Sequence, residues 1–546
     1  MFLATNKNLK TFLIIAIIIL AAVLRLYRLG DYPVSIYWDE AAIGYNAHSI
    51  AQTGRDEYGR KWPLSFKSFN DFKLPGYIYL DSIFVKALGL SESSVRLPSA
   101  LAGILAVIFI YLLTKRLFEN LDWELEISTL TALMLAISPW HIQLSRAAFE
   151  TNIALTLVLV GIYLLFAGRK KKLFALLAIP ISLLAFYFYY SSYTFVPLIT
   201  IAFVIIYKSK IQKNIKFYIA GFLIGLVMVV PAISLLSTQE GSKRIREVSI
   251  FADRSLSEQY IQASATREDL LSKFFLNRRI PVAIEALDNY FIHFSPGFLF
   301  FGSDPNARHH PVGIGNLFIW QIPLLVAGLW FLVKLKDTKL KYFLVTFVAI
   351  APIPAAFTIE VPHSLRAYNL VIPVTILSAL GIVYLIKSST LKIVTAIVAV
   401  IFFIHYLYNY YVIYPIKHDA AWAYGYETLY QNLKRIEDNY DTIIVTGYYW
   451  KPYIYYLFYN QISPGIYQSS PDQTAIGKYR FGIAGWDTGG QDLNAELIDN
   501  LKSAKTLIVL SPEEAATDEV QERFSKIFEI KNYTKTRTIF LAGSWD

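Results

Sequence analysis

Hydrophobic positions along the chain gather into long runs separated by short basic or aromatic turns. A bilayer crossing takes about 20 apolar residues, and about eleven runs approach that length. They are Thr11–Leu26, Val95–Leu113, Ile127–Trp140, Thr151–Ala167, Leu173–Tyr190, Phe195–Tyr207, Phe217–Leu236, Leu317–Val333, Phe343–Phe357, Leu370–Ile386 and Ile393–Tyr410. Two polar stretches interrupt the series, a first loop over 27–94 and a long loop over 237–315. In the first, apolar and polar residues alternate at helical spacing in places, as in helices lying at a membrane interface. Beyond Tyr414 the pattern changes. Short β-runs at Asp441–Thr446, Lys505–Leu510 and Thr536–Ala542 alternate with helical stretches, which predicts a small α/β domain over 415–546 beside a membrane domain over 1–414.

Composition agrees with that division. Of 546 residues 55% are hydrophobic and 17% charged, with a mean hydropathy of +0.42, too apolar for a soluble chain of this length. The net charge of +10 is spread over short clusters between runs, such as Arg169 to Lys172 and Lys208 to Lys216, so it reads as a topology signal and not as a nucleic-acid footprint. Every cluster falls on the side of the N-terminus. The positive-inside rule makes that side the cytoplasm, and places the first loop, the long loop and residues 415–546 outside a multi-pass cell membrane protein. The absence of cysteine excludes disulfides and thiolate chemistry.

Candidate chemistry clusters in the outside segments. Ile36 to Tyr45 follows the first run and carries adjacent acids, Asp39 and Glu40, among Tyr37, Trp38 and Tyr45. A carboxylate at the edge of the hydrocarbon layer is costly unless it meets water, a partner or a substrate. A helix cap is the plainer alternative. Asp71 and Lys73 follow, with Pro75-Gly76 just after them. A lysine on a fixed turn suits a phosphate, or snorkels from an interfacial helix end. Arg146 pairs with Glu150 at helical spacing or meets an anion. Arg366 enters the run at Leu370 and needs a negative partner, either Glu360 or a phosphate. His141, His363 and Tyr193 lie at the outer level and could line a substrate site. His309 and His310 could belong to a loop closing over substrate. Adjacent histidines do not converge and no HExxH spacing is present, so no metal and no cofactor is expected. Acids are nearly absent at mid-depth of the runs, which argues against an alternating-access transporter of a lipid-linked saccharide, the competing class.

A short tail, one crossing, Trp38-Asp39-Glu40 and then Asp71-Phe72-Lys73-Leu74-Pro75 resemble the first outer loop of the GT-C glycosyltransferases, in particular the protein O-mannosyltransferase and aminoarabinose-transferase group. The resemblance implies a GT-C type polytopic helical fold and a transferase that inverts the sugar. It implies a sugar taken from a polyprenyl-phosphate donor and passed to an acceptor, a protein hydroxyl, lipid or glycan, on the outer face. It puts the catalytic base on Asp39, with Glu40 and Asp71 as supporting acids. The family's phosphate-binding lysine falls on Lys73, although Leu74 stands where the family has proline. Arg146 and Arg366 would assist at the carrier phosphate. An inactive relative acting as a binding protein is the remaining alternative.

Overall fold

The computed structural model describes residues 7–69, 71–251, 279–482, 498–499, 502–503 and 505–545. Part of the long loop, 252–278, lies outside them. Each expected crossing falls on an apolar helix, so the chain is a multi-pass membrane protein. Among the described residues six helices are long and apolar enough to cross a membrane, or seven if the pair Glu124–Ala136 and Pro139–Ser145, bent by 55°, is one span. Thr11–Leu26, Lys172–Tyr187 and Ile319–Lys334 are shorter apolar helices. Ser192–Leu236 passes as one apolar helical stretch of 45 residues where two crossings were expected. Within it the α-helices Ser192–Ile211 and Ile215–Leu236 are joined only by the 3-10 turn Gln212–Asn214, which carries Lys213.

Contacts divide the chain into two compact units. The first comprises residues 1–27 and 99–409, the second 28–98 and 410–546. The first loop thus groups with the C-terminal residues, whereas the hydrophobic pattern had placed it in a membrane domain ending at 414. The reason lies in specific contacts within the second unit. Helix Trp38–Thr53 packs on Pro75–Leu88 and on Pro452–Tyr459. A Cβ on Gly44 would come within 2.8 Å of Phe458 and 2.5 Å of Val95, so the approach needs glycine. Tyr45 donates to Ile462 O at 3.0 Å, and Gln468 Nε2 donates to Ser49 Oγ at 2.9 Å.

The C-terminal part contains a six-stranded mixed sheet. Thr442–Val445 lies between Tyr479–Phe481 and Thr506–Leu510, parallel to both. Ala475–Ile476 pairs antiparallel with Tyr479–Phe481 at one edge. On the other side Thr538–Trp545 runs antiparallel to Thr506–Leu510, and Phe524–Lys531 forms the far edge. The two central strands are buried throughout, as expected for near-continuous apolar runs covered on both faces.

In the first unit the turn before helix Val371–Leu385 is held by long-range bonds. Trp140 Nε1 donates to Ser364 O, Thr151 Oγ1 to Leu365 O and Tyr368 Oη to Asn152 Oδ1.

Candidate active site

Helix Trp38–Thr53 opens with both acids in its first turn, where the unpaired amides and the helix dipole favour negative charge. It ends at Gly54, whose φ of +67° and amide bond to Ile50 O close the last turn. A tight antiparallel hairpin, Phe66–Ser68 with Asp71–Lys73, then places Lys73 opposite Phe66. Leu74 is extended, and Pro75 begins the next helix at the position where its missing amide is harmless.

These elements bring Lys73 Nζ onto Asp39 Oδ1 in a direct ion pair. Asp39 keeps 32% of its side chain exposed and Lys73 10%, so the carboxylate remains reachable from solvent while the lysine stem is covered. Asp71 sits two residues before Lys73 on the same strand, half-buried, accepting the Phe72 amide at 2.7 Å.

Glu40, expected as a supporting acid, faces the other way. It is completely buried, and both oxygens accept from Arg96, at 3.1 Å from Nε and 3.1 Å from Nη2. Arg96 also donates to the carbonyls of Leu29, Gly30, Pro33 and Ser35, so the Glu40–Arg96 pair knots the chain between the first span and the acid helix. This is a structural pair with no face to solvent.

Sequence reasoning missed two buried acids beside this site. Glu57 exchanges hydrogen bonds with Asn46, Asn46 Nδ2 donating to Oε1 at 3.3 Å and the Glu57 amide to Asn46 Oδ1 at 3.1 Å. Its Oε2 finds no hydrogen-bond partner among the described residues. Burial pushes its carboxyl up to about 8, although Asn46 and the Lys73 charge pull the other way. Asp81, on Pro75–Leu88, is buried with neither oxygen hydrogen-bonded among the described residues. Burial, and then the Glu40 charge, push it well above the usual carboxylate range. Neither acid stands in a motif; only the fold removes them from water.

Other expected site residues are occupied locally. Tyr45 is buried on Ile462. Tyr193 stacks on Phe186 at 4.4 Å and on Tyr190 at 5.9 Å, in an aromatic cluster within the first unit. Arg146 is buried, and donates to Leu24 O at 2.9 Å and Tyr27 O at 2.8 Å, closing the end of the first apolar helix. His141 is buried with Nδ1 2.6 Å from Arg25 Nη2. Arg366 donates to Ile359 O at 2.5 Å and lies 3.7 Å from Glu360, the structural alternative weighed for it.

The histidines of the first unit separate. His310 sets its ring nitrogens at 2.9 Å from Pro311 O and 2.9 Å from Asp304 O. His309 donates through Nδ1 to Asp304 Oδ2 at 2.7 Å, and the Ser364 amide donates to the same oxygen at 2.6 Å. Burial raises the Asp304 carboxyl, but the His309 ring outweighs it and holds the group well below the usual range. His363 stands beside His309, ring centroids 5.2 Å apart, with its Nδ1 buried and without a hydrogen-bond partner among the described residues. Burial and the Arg366 charge keep His363 neutral far below its ordinary value. One ligand atom each from Asp304, His309 and His363 lie within 4.8 Å of one another.

Residues 73–234 match the family model of dolichyl-phosphate-mannose-protein mannosyltransferase. No curated protein matches the chain. Among solved structures, ArnT from Cupriavidus metallidurans bound to undecaprenyl phosphate is similar at 12% identity over 98% of this chain and 98% of its own, with a TM-score of 0.52. The oligosaccharyltransferase of Archaeoglobus fulgidus, tethered with an acceptor peptide, is similar at 12% identity over 98% of this chain and 74% of its own, with a TM-score of 0.51. Its apo form gives the same identity and TM-score over 76% of its length. The chain therefore has the GT-C type fold of these structures.

Proposed function

We propose that this protein is an inverting glycosyltransferase that moves a sugar from a polyprenyl-phosphate donor to an acceptor hydroxyl on the extracytoplasmic face. Asp39 is the base and Lys73 the carrier-phosphate ligand. The observation that carries the reading is the Lys73–Asp39 ion pair: a partly exposed carboxylate and a covered lysine, held by a helix start and a hairpin, in direct contact.

The pair supports an ordered reaction. An arriving carrier phosphate competes with Asp39 for the Lys73 ammonium, and its entry leaves the carboxylate free to accept a proton. The acceptor oxygen attacks the anomeric carbon while its proton passes to Asp39. The bond from that carbon to the phosphate oxygen breaks, and the carrier leaves as polyprenyl phosphate with its added negative charge facing Lys73. One base and one displacement give inversion. The likeness to a protein solved with undecaprenyl phosphate and the match to a dolichyl-phosphate-mannose family support the donor class.

The test is transfer of label from a polyprenyl-phosphate sugar pool in membranes carrying wild type or Asp39→Asn at matched expression. Transfer lost in the variant, with the protein still folded, supports the base. Equal transfer in both refutes it. Movement of lipid-linked saccharide across the bilayer without transfer in either would replace the transferase by a transporter.

A further inference from the structure

We infer that Asp304, His309 and His363 form a zinc site that ties the loop before Ile314 to the turn carrying Arg366. This is independent of the transfer reaction proposed above. Zinc is bound by imidazole nitrogen and carboxylate oxygen in tetrahedral sites with bonds of about 2.0–2.1 Å, which set neighbouring ligands roughly 3.4 Å apart. The three ligand atoms here already lie within 4.8 Å of one another.

Three further features separate this group from a chance cluster. Asp304 is fixed before any ion arrives, because Oδ2 accepts the Ser364 amide at 2.6 Å and Asp304 Oδ1 accepts the Asn306 amide at 2.9 Å. His363 Nδ1 is a buried nitrogen without a hydrogen-bond partner among the described residues, which is costly in an apolar setting unless a ligand takes its lone pair. The His363 backbone is held as well, its amide donating to His293 Nε2 at 3.1 Å while His293 Nδ1 donates to Asn289 O at 2.6 Å. Arg366, the nearby cation, is turned onto Ile359 O and Glu360. A proton now joins His309 Nδ1 to Asp304 Oδ2; a divalent ion between those atoms releases that proton to solvent and adds His363 as third ligand. Two imidazoles and one carboxylate favour zinc over magnesium or calcium, which take oxygen ligands. Ligands this far apart in sequence make the ion a staple, holding the turn Ile359 to Arg366 against the loop after Gly302.

The experiment uses the full chain in detergent, purified without a histidine tag and stripped with chelator. Zinc chloride is titrated by calorimetry, and cobalt chloride is followed by its visible d–d absorption. One saturable equivalent is expected, with tetrahedral cobalt bands and a rise in apparent Tm. Asp304→Asn and His363→Gln, which keep shape, should each weaken zinc at least tenfold and remove the Tm rise, as should His309→Ala where it folds. His418→Ala, a histidine of the second unit, should change nothing. No saturable zinc binding in wild type, or equal binding in Asp304→Asn and His363→Gln, overturns the site.

Discussion

Asp39 and Glu40 are neighbours in one helical turn, yet they meet opposite environments. Asp39 remains one-third exposed against a lysine, while Glu40 has no exposure at all and is fully used by an arginine that also gathers four carbonyls. Successive helix residues are turned by about 100°, so two adjacent carboxylates cannot share a face. The difference teaches which acid is available for chemistry. A carboxylate whose two oxygens are spent on a buried guanidinium serves folding. One paired at the surface with a lysine, a flexible point charge, can exchange that partner for an anion.

The sharpest way to break the comparison is to remove each partner in turn. Arg96→Met leaves Glu40 buried and uncompensated, and breaking a buried pair from one side costs about 3–5 kcal/mol. Loss of folded protein is expected, read as a collapse of the monodisperse peak and of the apparent Tm. The double variant Arg96→Met/Glu40→Gln should regain part of the stability. A stable, active Arg96→Met would show that Glu40 is not the structural acid.

Asp39→Asn should do the reverse. Removing a general base lowers rate by about 10²–10⁴. Little folding stability should change, because a partly exposed pair contributes about 0–1 kcal/mol. The comparison fails if the Asn variant loses stability as Arg96→Met does, or if it turns over at the wild-type rate. Lys73 sharpens it further. Lys73→Ala should raise the apparent KM for the lipid donor about tenfold while Lys73→Arg restores most of it, since both cations meet a phosphate. Donor dependence unchanged in Lys73→Ala would detach the lysine from the carrier.

Much of this was legible in the sequence because it is local. Runs of apolar residues mark the helices, and an acid pair just past the first run, with a lysine just before Pro75, marks the candidate site. Asp39 and Lys73, 34 residues apart, meet in an ion pair that no local spacing announces. What stayed hidden depends on distance along the chain. Arg96 lies 56 residues from Glu40, and Ser364 lies 60 from Asp304, so no local spacing reveals that Glu40 is consumed or that His363 joins His309. The adjacent pair His309 and His310 indeed fails to converge, as geometry requires, but the convergent partner comes from another turn. The grouping of residues 28–98 with 410–546 rests on bonds such as Gln468 to Ser49, 419 residues apart. Hydrophobic periodicity carries no information about such contacts.

The smallest effect tests the acid that has neither fate. Glu57 is buried with no ion pair among the described residues, and its carboxyl is pushed up to about 8 by burial. An unfolded glutamate titrates near 4.3. The folded state therefore holds a proton that the unfolded state has lost anywhere between those values. Stability is fully present below the lower value, and falls as pH rises through the window toward 8. Glu57→Gln removes that slope. At pH 5 the variant and wild type should unfold within a degree of each other, and at pH 8.5 the variant should be more stable by a few degrees. The measurement is apparent Tm in detergent across pH 5–9. A wild-type profile with no fall above pH 6, or a fall that persists in Glu57→Gln, would mean that Glu57 is charged and paired, and a third kind of carboxylate would then have to be removed from the comparison.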